Sequence, residues 1–194
     1  MNRMKIKPYL LIGCALALLV GCDNAPVPQE TIAAQAGFSD VPGSALEVGS
    51  AAPDFKLQSL NGDWISLSEL QGNKVLIIFF RGHWCPFCVG HLQDIQTVLP
   101  ALEKLGYQIL AISPDDAGDM QKMADRMDRP YQFLSDIDLS VTDLYGIRND
   151  KDLPHPAMIL LDQKGLVQWF YIGEDYKTRP SAAQLKQVLD RLNP

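Results

Sequence analysis

Val75–Phe80 reads VLIIFF, six apolar residues without a polar break. A surface helix alternates apolar and polar faces every three to four residues, and a half-buried strand alternates every second residue. An unbroken short run therefore predicts a strand covered on both faces, as in the parallel part of an α/β sheet. The rest of the chain supplies the cover. Leu92, Ile95, Leu99 and Leu102 share one helical face, with Pro100 expected to kink or divide that helix. Tyr107–Ser113 reads as a second buried strand, Asp116–Met127 as a polar-faced helix and Tyr131–Leu134 as a short strand. Leu139–Tyr145 reads as a helix closed by Gly146. Met158–Leu161 and Leu166–Ile172 flank Asp162-Gln163-Lys164-Gly165, a turn composition that signals a hairpin. Ala182–Leu192 turns Leu185, Val188, Leu189 and Leu192 to one side. The expected fold class is an α/β sandwich with a central mixed β-sheet flanked by helices.

The N-terminus is a different object. Arg3, Lys5 and Lys7 precede the apolar stretch Pro8–Gly21, and no acid occurs before Asp23. A basic segment followed by a short apolar one is the pattern of an export signal, and about 14 apolar residues fall short of a bilayer span. Leu19-Val20-Gly21-Cys22 resembles the lipobox of bacterial lipoproteins, in which the cysteine is acylated. Residues 1–21 are therefore expected to be a lipoprotein signal peptide, with Cys22 as the lipid-bearing residue. Cys14 fits the same pattern less well, since it would leave a very short apolar region. Residues 22–45 hold Pro26, Pro28 and Pro42 without apolar periodicity and read as a flexible tether. Residues 46–194 then form one domain of ordinary size. By resemblance to Gram-negative lipoproteins, Asp23 after the cysteine points to the periplasmic face of the inner membrane.

Removing the three leader bases from the total of 17 Lys and Arg leaves 14 against 23 acids. That balance speaks against nucleic acid as a partner, because phosphate neutralisation needs a basic surplus.

With Cys14 and Cys22 set aside, Cys85 and Cys88 remain, in Trp84-Cys85-Pro86-Phe87-Cys88. They follow the VLIIFF strand and open a helix. Pro86 suits the first helical position, which puts Cys85 at the cap, where free amides and the helix dipole favour thiolate over thiol. Cys88 lies about one turn deeper, so an accessible Cys85 thiolate can attack and Cys88 can resolve the product. A structural disulfide gains little from closing so short a loop. A zinc knuckle lacks its second pair of cysteines. The pair is expected to be redox-active, with no cofactor and no metal.

Three segments carry a family likeness: Val48-Gly49-Ser50-Ala51-Ala52-Pro53-Asp54-Phe55, Phe79–Cys88 (FFRGHWCPFC) and Ile109–Asp115 (ILAISPD). They resemble the thioredoxin-fold redoxins, and within them the alkyl hydroperoxide reductase/thiol-specific antioxidant, or peroxiredoxin-like, branch. Leu134-Ser135-Asp136 and Leu144-Tyr145-Gly146-Ile147 extend the resemblance over most of residues 48–192. The resemblance implies a thioredoxin-like sandwich. It also aligns Pro156 with the cis-proline that faces the redox cysteines, setting His155 and Pro156 opposite Cys85.

Within that branch, a peroxidase site resembles Thr-x-x-Cys with an arginine from a later strand region. On that pattern Cys88 is the peroxidatic position, Cys85 replaces the threonine, and the arginine is missing near Pro156. The paired thiols, Trp84 and an opposing proline match a dithiol site better. The leading expectation is thus a thiol-disulfide oxidoreductase whose partners are disulfide or thiol proteins or small oxidants, recycled by a thiol donor. A peroxiredoxin-like thiol peroxidase, with Cys88 or Cys85 peroxidatic, is the alternative. Arg81 is expected to assist a nearby thiol. A third reading is copper handling by Cys85, Cys88 and His155, although that family resembles C-x-x-x-C. His83 and His91 are expected to be surface or supporting histidines.

Overall fold

The computed structural model describes residues 37–129 and 131–194. The signal segment, Cys22 and the first part of the expected tether lie outside the described residues. Among the described residues no helix is long and apolar enough to cross a membrane.

Among the described residues eight strands form one sheet: β1 (Gly37–Ser39), β2 (Lys56–Ser59), β3 (Trp64–Ser66), β4 (Lys74–Phe79), β5 (Tyr107–Ser113), β6 (Gln132–Ser135), β7 (Ala157–Leu161) and β8 (Val167–Ile172). Their order is β1-β8-β7-β4-β5-β6-β2-β3. β4 lies between β5, parallel to it, and β7, antiparallel to it. The VLIIFF strand is central and buried on both faces. The helices are α1 (Pro86–Ile95), α2 (Leu99–Lys104), α3 (Ala117–Ala124), α4 (Ser140–Leu144) and α5 (Ala182–Leu192). The result is a thioredoxin-like mixed sheet covered on two sides.

The two-residue period of β4 divides the core. Leu76, Ile78 and Phe80 face the side packed by α1 and α5, and that cluster includes both Cys85 and Cys88. Val75, Ile77 and Phe79 face the opposite side, with Phe55, Tyr145 and Ile147. Pro100 does divide the expected long helix. A 3-10 turn, Gln96–Val98, separates α1 from α2, and Pro100 occupies the start of α2.

α4 ends as expected at Gly146, whose φ is +66°. Gly146 N–H bonds to Asp143 O and Ile147 N–H to Thr142 O, at 2.9 and 3.1 Å. That is the paired pattern of a Schellman cap. A Cβ at Gly146 would also collide with the backbone of Gly43 and Ser44.

This contact bears on a boundary. Residues 37–45, read from the sequence as tether, belong to the domain. β1 pairs in parallel with β8, Val41 and Leu46 are buried, and Ala45 N–H bonds to Tyr145 O at 3.1 Å. The hairpin β2–β3 was not expected, although Asn61-Gly62 between its strands is a turn signal, with Gly62 at φ +89°; the three-residue β1 gave no sequence signal. The strand and helix segments expected after Val75 all occur, with α3 shorter than its polar pattern because the chain turns at Asp125.

Candidate active site

β4 hands the chain to the site through Phe80-Arg81-Gly82-His83-Trp84. Gly82 adopts φ +143°, and a Cβ there would lie 2.6 Å from Trp84 Nε1 and 2.9 Å from Asp115 Oδ1. Only glycine lets the loop pass this close to the buried Asp115. Asp115 fixes the loop in return. Its Oδ2 accepts from the His83 amide at 2.8 Å and from Ser113 Oγ at 3.1 Å, and its Oδ1 is 3.3 Å from His83 Nδ1. His83 thus anchors the loop from behind the cysteines.

Cys85 is the N-cap of α1, with extended φ, ψ of −86°, 112°, and Pro86 stands at the first helical position. The expected cap geometry is present. Cys85 was expected to be the accessible sulfur, however, and it is only 1% exposed, with Cys88 at 0%. Both thiols are free. Trp84 and Phe87 stand outside them as a rim, 52% and 43% exposed, so the neighbours cover the sulfur.

The two thiols share one proton. A hydrogen bond from Cys88 is the chief cause that lowers the Cys85 thiol to about 5; burial opposes it, and the Cys88 amide, Arg179 and Arg81 add to the lowering. Cys88 is pushed well above the usual thiol range by the same shared bond and by its deep burial, against the pull of Arg179. At neutral pH the pair carries one thiolate, on Cys85, and one thiol, on Cys88.

Two guanidiniums hold this charge. Arg81 lies with its Cζ 4.5 Å from the Tyr176 ring centroid and 5.3 Å from that of Trp84. Arg179, in the segment between β8 and α5, donates from Nη2 to Cys88 Sγ at 3.3 Å. Arg179 was not among the expected site residues, since the family pattern places its arginine near Pro156, where this chain has none. Nothing local marks Arg179, which lies 91 residues from Cys88. An isolated arginine just before the cap of the last helix, Ser181, is the one clue the sequence offers.

Other expectations are corrected. No cis peptide bond occurs among the described residues, so Pro156 is not a cis-proline. His155 N–H bonds to Ile147 O at 2.7 Å and Pro156 O accepts from Gly173 N–H at 3.0 Å, a hydrogen-bonded trans lead-in to β7. His155 does not join the cysteines either. It lines an open cleft of about 510 Å³ with Arg81 and Tyr176, and its Nδ1 is buried without a partner. The donor atoms of Cys85, Cys88 and His155 do not gather as a metal-ligand set, which removes the arrangement that the copper reading needed. Among the described residues only His83, Asp115 and Asp119 bring donor atoms within 4.8 Å of one another. Asp119 Oδ1 is already bonded to Lys122 Nζ at 2.6 Å, so the trio reads as a hydrogen-bonded anchor. His91 is a supporting histidine, as one of its two expected roles had it: its Nε2–H donates to Pro180 O at 3.0 Å, and burial, then Arg179, lower its pKa to about 3.

A buried thiolate at a helix cap, its thiol partner one turn on and two flanking arginines describe a redox centre. A profile of the AhpC/TSA family matches residues 48–170. The chain belongs to the AhpC/TSA family. Among AhpC/TSA relatives, peroxiredoxin Bcp of Escherichia coli K12 is 27% identical over 140 residues, covering 69% of this chain and 88% of that protein. AhpC of Mycobacterium bovis shares the fold, with a TM-score of 0.68 at 18% identity over 77% of this chain and 98% of that one. A Chlorobium tepidum structure assigned as a thiol:disulfide interchange protein DsbE superposes with a TM-score of 0.62 at 26% identity, covering 77% of this chain and all (100%) of that one. The protein is therefore a thioredoxin-fold redox protein of the peroxiredoxin/Bcp type.

Proposed function

We propose that the protein is a thiol peroxidase in which Cys85 is the attacking thiolate and Cys88 the resolving thiol. The observation that carries this reading is a thiolate buried to 1% exposure between two arginines. A protein disulfide needs a far wider opening to reach a sulfur so covered than a hydroperoxide does. The arginines Arg81 and Arg179 favour thiolate over thiol and stabilise negative charge on the departing oxygen. This displaces disulfide exchange as the leading reading of the sequence. The resemblance to peroxidase motifs placed attack at Cys88, but the shared proton supports Cys85.

The Cys85 thiolate attacks one peroxide oxygen and breaks the O–O bond, giving a sulfenic acid and, after protonation, water or an alcohol. Cys88 then displaces the hydroxyl as water and forms the Cys85–Cys88 disulfide. An external thiol donor returns two electrons. The exposed Trp84 and Phe87 rim supports the use of a protein donor in that last step, since it offers apolar contact beside the disulfide.

The test is the second-order rate of oxidation of the reduced protein by hydrogen peroxide, against free cysteine at equal thiolate fraction. A rate orders of magnitude above the reference, lost in Cys85→Ser, supports the peroxidase. A rate near the reference refutes it and leaves disulfide exchange. Cys88→Ser should retain the fast first step and accumulate a sulfenic acid on Cys85 that a dimedone probe captures. If capture occurs only on Cys88, the roles are reversed.

Export and lipid attachment at Cys22 belong to the same proposal and are supported by Arg3–Gly21 and the lipobox-like residues alone. Incorporation of labelled fatty acid that disappears in Cys22→Ser supports it. Equal incorporation in both rejects it.

A further inference from the structure

Arg179 is 8% exposed, yet among the described residues its one hydrogen bond is to the Cys88 sulfur, and its Nε has no partner there. Among the described residues no carboxylate lies within ion-pair distance of it, and Asp175 feels it only at longer range. A guanidinium taken out of water needs a counter-charge. The negative charge beside it is the single thiolate of the cysteine pair.

Its position is enforced from both sides. Three residues on one side of α1, spaced by three, each hold the segment that carries it. Cys88 Sγ accepts from Arg179, His91 Nε2–H donates to Pro180 O at 3.0 Å, and Asp94 Oδ2 accepts from Ala182 N–H at 2.7 Å. From the sheet, Tyr171 Oη–H donates to Thr178 O at 2.9 Å. Ser181 and Gln184 close the start of α5 with a reciprocal capping box. Arg179 therefore has little freedom to swing into solvent when the cysteine pair loses its charge.

We propose that Arg179 is the counter-ion of the cysteine pair and that losing this counter-charge on disulfide formation keeps the Cys85–Cys88 disulfide easily reduced. In the reduction, a dithiol donor gives two electrons and two protons. The S–S bond breaks, Cys88 keeps one proton, Cys85 remains a thiolate against the arginines, and the second proton is released. The donor leaves as its own disulfide. Stabilising the reduced form of a pair raises its reduction potential. The inference rests on the pair cycling between dithiol and disulfide, as the proposed peroxidase requires, and is indifferent to which oxidant forms the disulfide.

The experiment equilibrates the full chain with reduced and oxidised dithiothreitol and reads the oxidised fraction by thiol alkylation and mass. No peroxide is present, so the result stands apart from the peroxidase test. Arg179→Gln should shift the equilibrium at least tenfold toward the disulfide, about 30 mV for two electrons. Arg179→Lys, which keeps the charge, should recover most of the shift. Asp94→Ala, which removes the acceptor of the Ala182 amide without touching the sulfurs, should move it a few-fold in the same direction. An Arg179→Gln equilibrium within twofold of the parent overturns the proposal, as does a lysine variant no better than the glutamine one. Should the arginine variants fail to fold, the unaltered protein decides: its reduced form must unfold at a higher urea concentration than its disulfide form at pH 7. An equal or lower midpoint for the reduced form overturns the proposal.

Discussion

Two buried charged side chains occupy opposite conditions in this molecule. Asp136 is 0% exposed and fully satisfied: it accepts from the Val141 amide at 3.0 Å, the Thr142 amide at 2.8 Å and Thr142 Oγ1 at 2.6 Å, with Ser140 Oγ at 3.5 Å. It holds the start of α4 and nothing else asks for its charge. Arg179 is almost as buried and has one bond, to a sulfur that changes state in every cycle. Satisfied buried charge is structural cement. Buried charge left to a reactive partner marks where the chemistry is stored.

The contrast can be broken from either end. The largest effect belongs to Cys85→Ser, which should reduce peroxide consumption in a coupled dithiol assay to the uncatalysed level while the protein still unfolds in one cooperative transition. Retention of turnover would remove Cys85 from the mechanism. Asp136→Ala should do the reverse. It leaves two amides and a hydroxyl without an acceptor and should cost roughly 3 kcal/mol, about two decades in the folding equilibrium, measured by urea unfolding. Thiolate absorbance of the folded fraction should stay unchanged. A shift there would mean the two centres are coupled.

A smaller effect follows from pH. With Cys85 lowered to about 5, the rate with peroxide should be level above about pH 6 and fall by roughly tenfold per unit well below pH 5. The stability sign is fixed by the same shift. A thiol depressed from 9.0 to about 5 stabilises the fold increasingly as pH rises between those values, and loses that contribution as pH falls. The parent and Cys85→Ser should therefore diverge in stability from pH 5 to 9 and run parallel below. Parallel curves throughout would show that Cys85 titrates normally. Smallest is Ser181→Ala, which removes the cap of α5 and should cost about 1 kcal/mol. It sharpens the comparison if it also slows peroxide turnover, since the cap touches neither sulfur.

The unequal legibility of the sequence follows the same physics. β4, β5 and α5 were readable because each carries its burial in its own residues, as in VLIIFF or Leu185, Val188 and Leu189. Lys56–Ser59 has one apolar residue, and Gly37–Ser39 is three residues long. Gly37–Ser39 becomes a strand through its neighbour β8, a tertiary effect no local window contains, whereas the local mark of the β2–β3 hairpin is the Asn61-Gly62 turn and not an apolar pattern. In the site, Cys85, Pro86 and Cys88 announced themselves by spacing. Arg81 was visible because it adjoins them, whereas Arg179 arrives from the far side of β8. Burial of Cys85 was unreadable for a similar reason, because it depends on how the loop held by Asp115 and the rim fold over it.

The short strand β1 has a practical consequence for handling this protein. β8 carries Val-Gln-Trp-Phe-Tyr-Ile, and among the described residues β1 is the strand that pairs along its outer edge. A recombinant fragment begun at residue 46 would leave that aromatic strand as an open template for pairing with its neighbours in solution. Fragments begun before Gly37 carry their own protection, and the solubility of a purified domain hinges on these three residues.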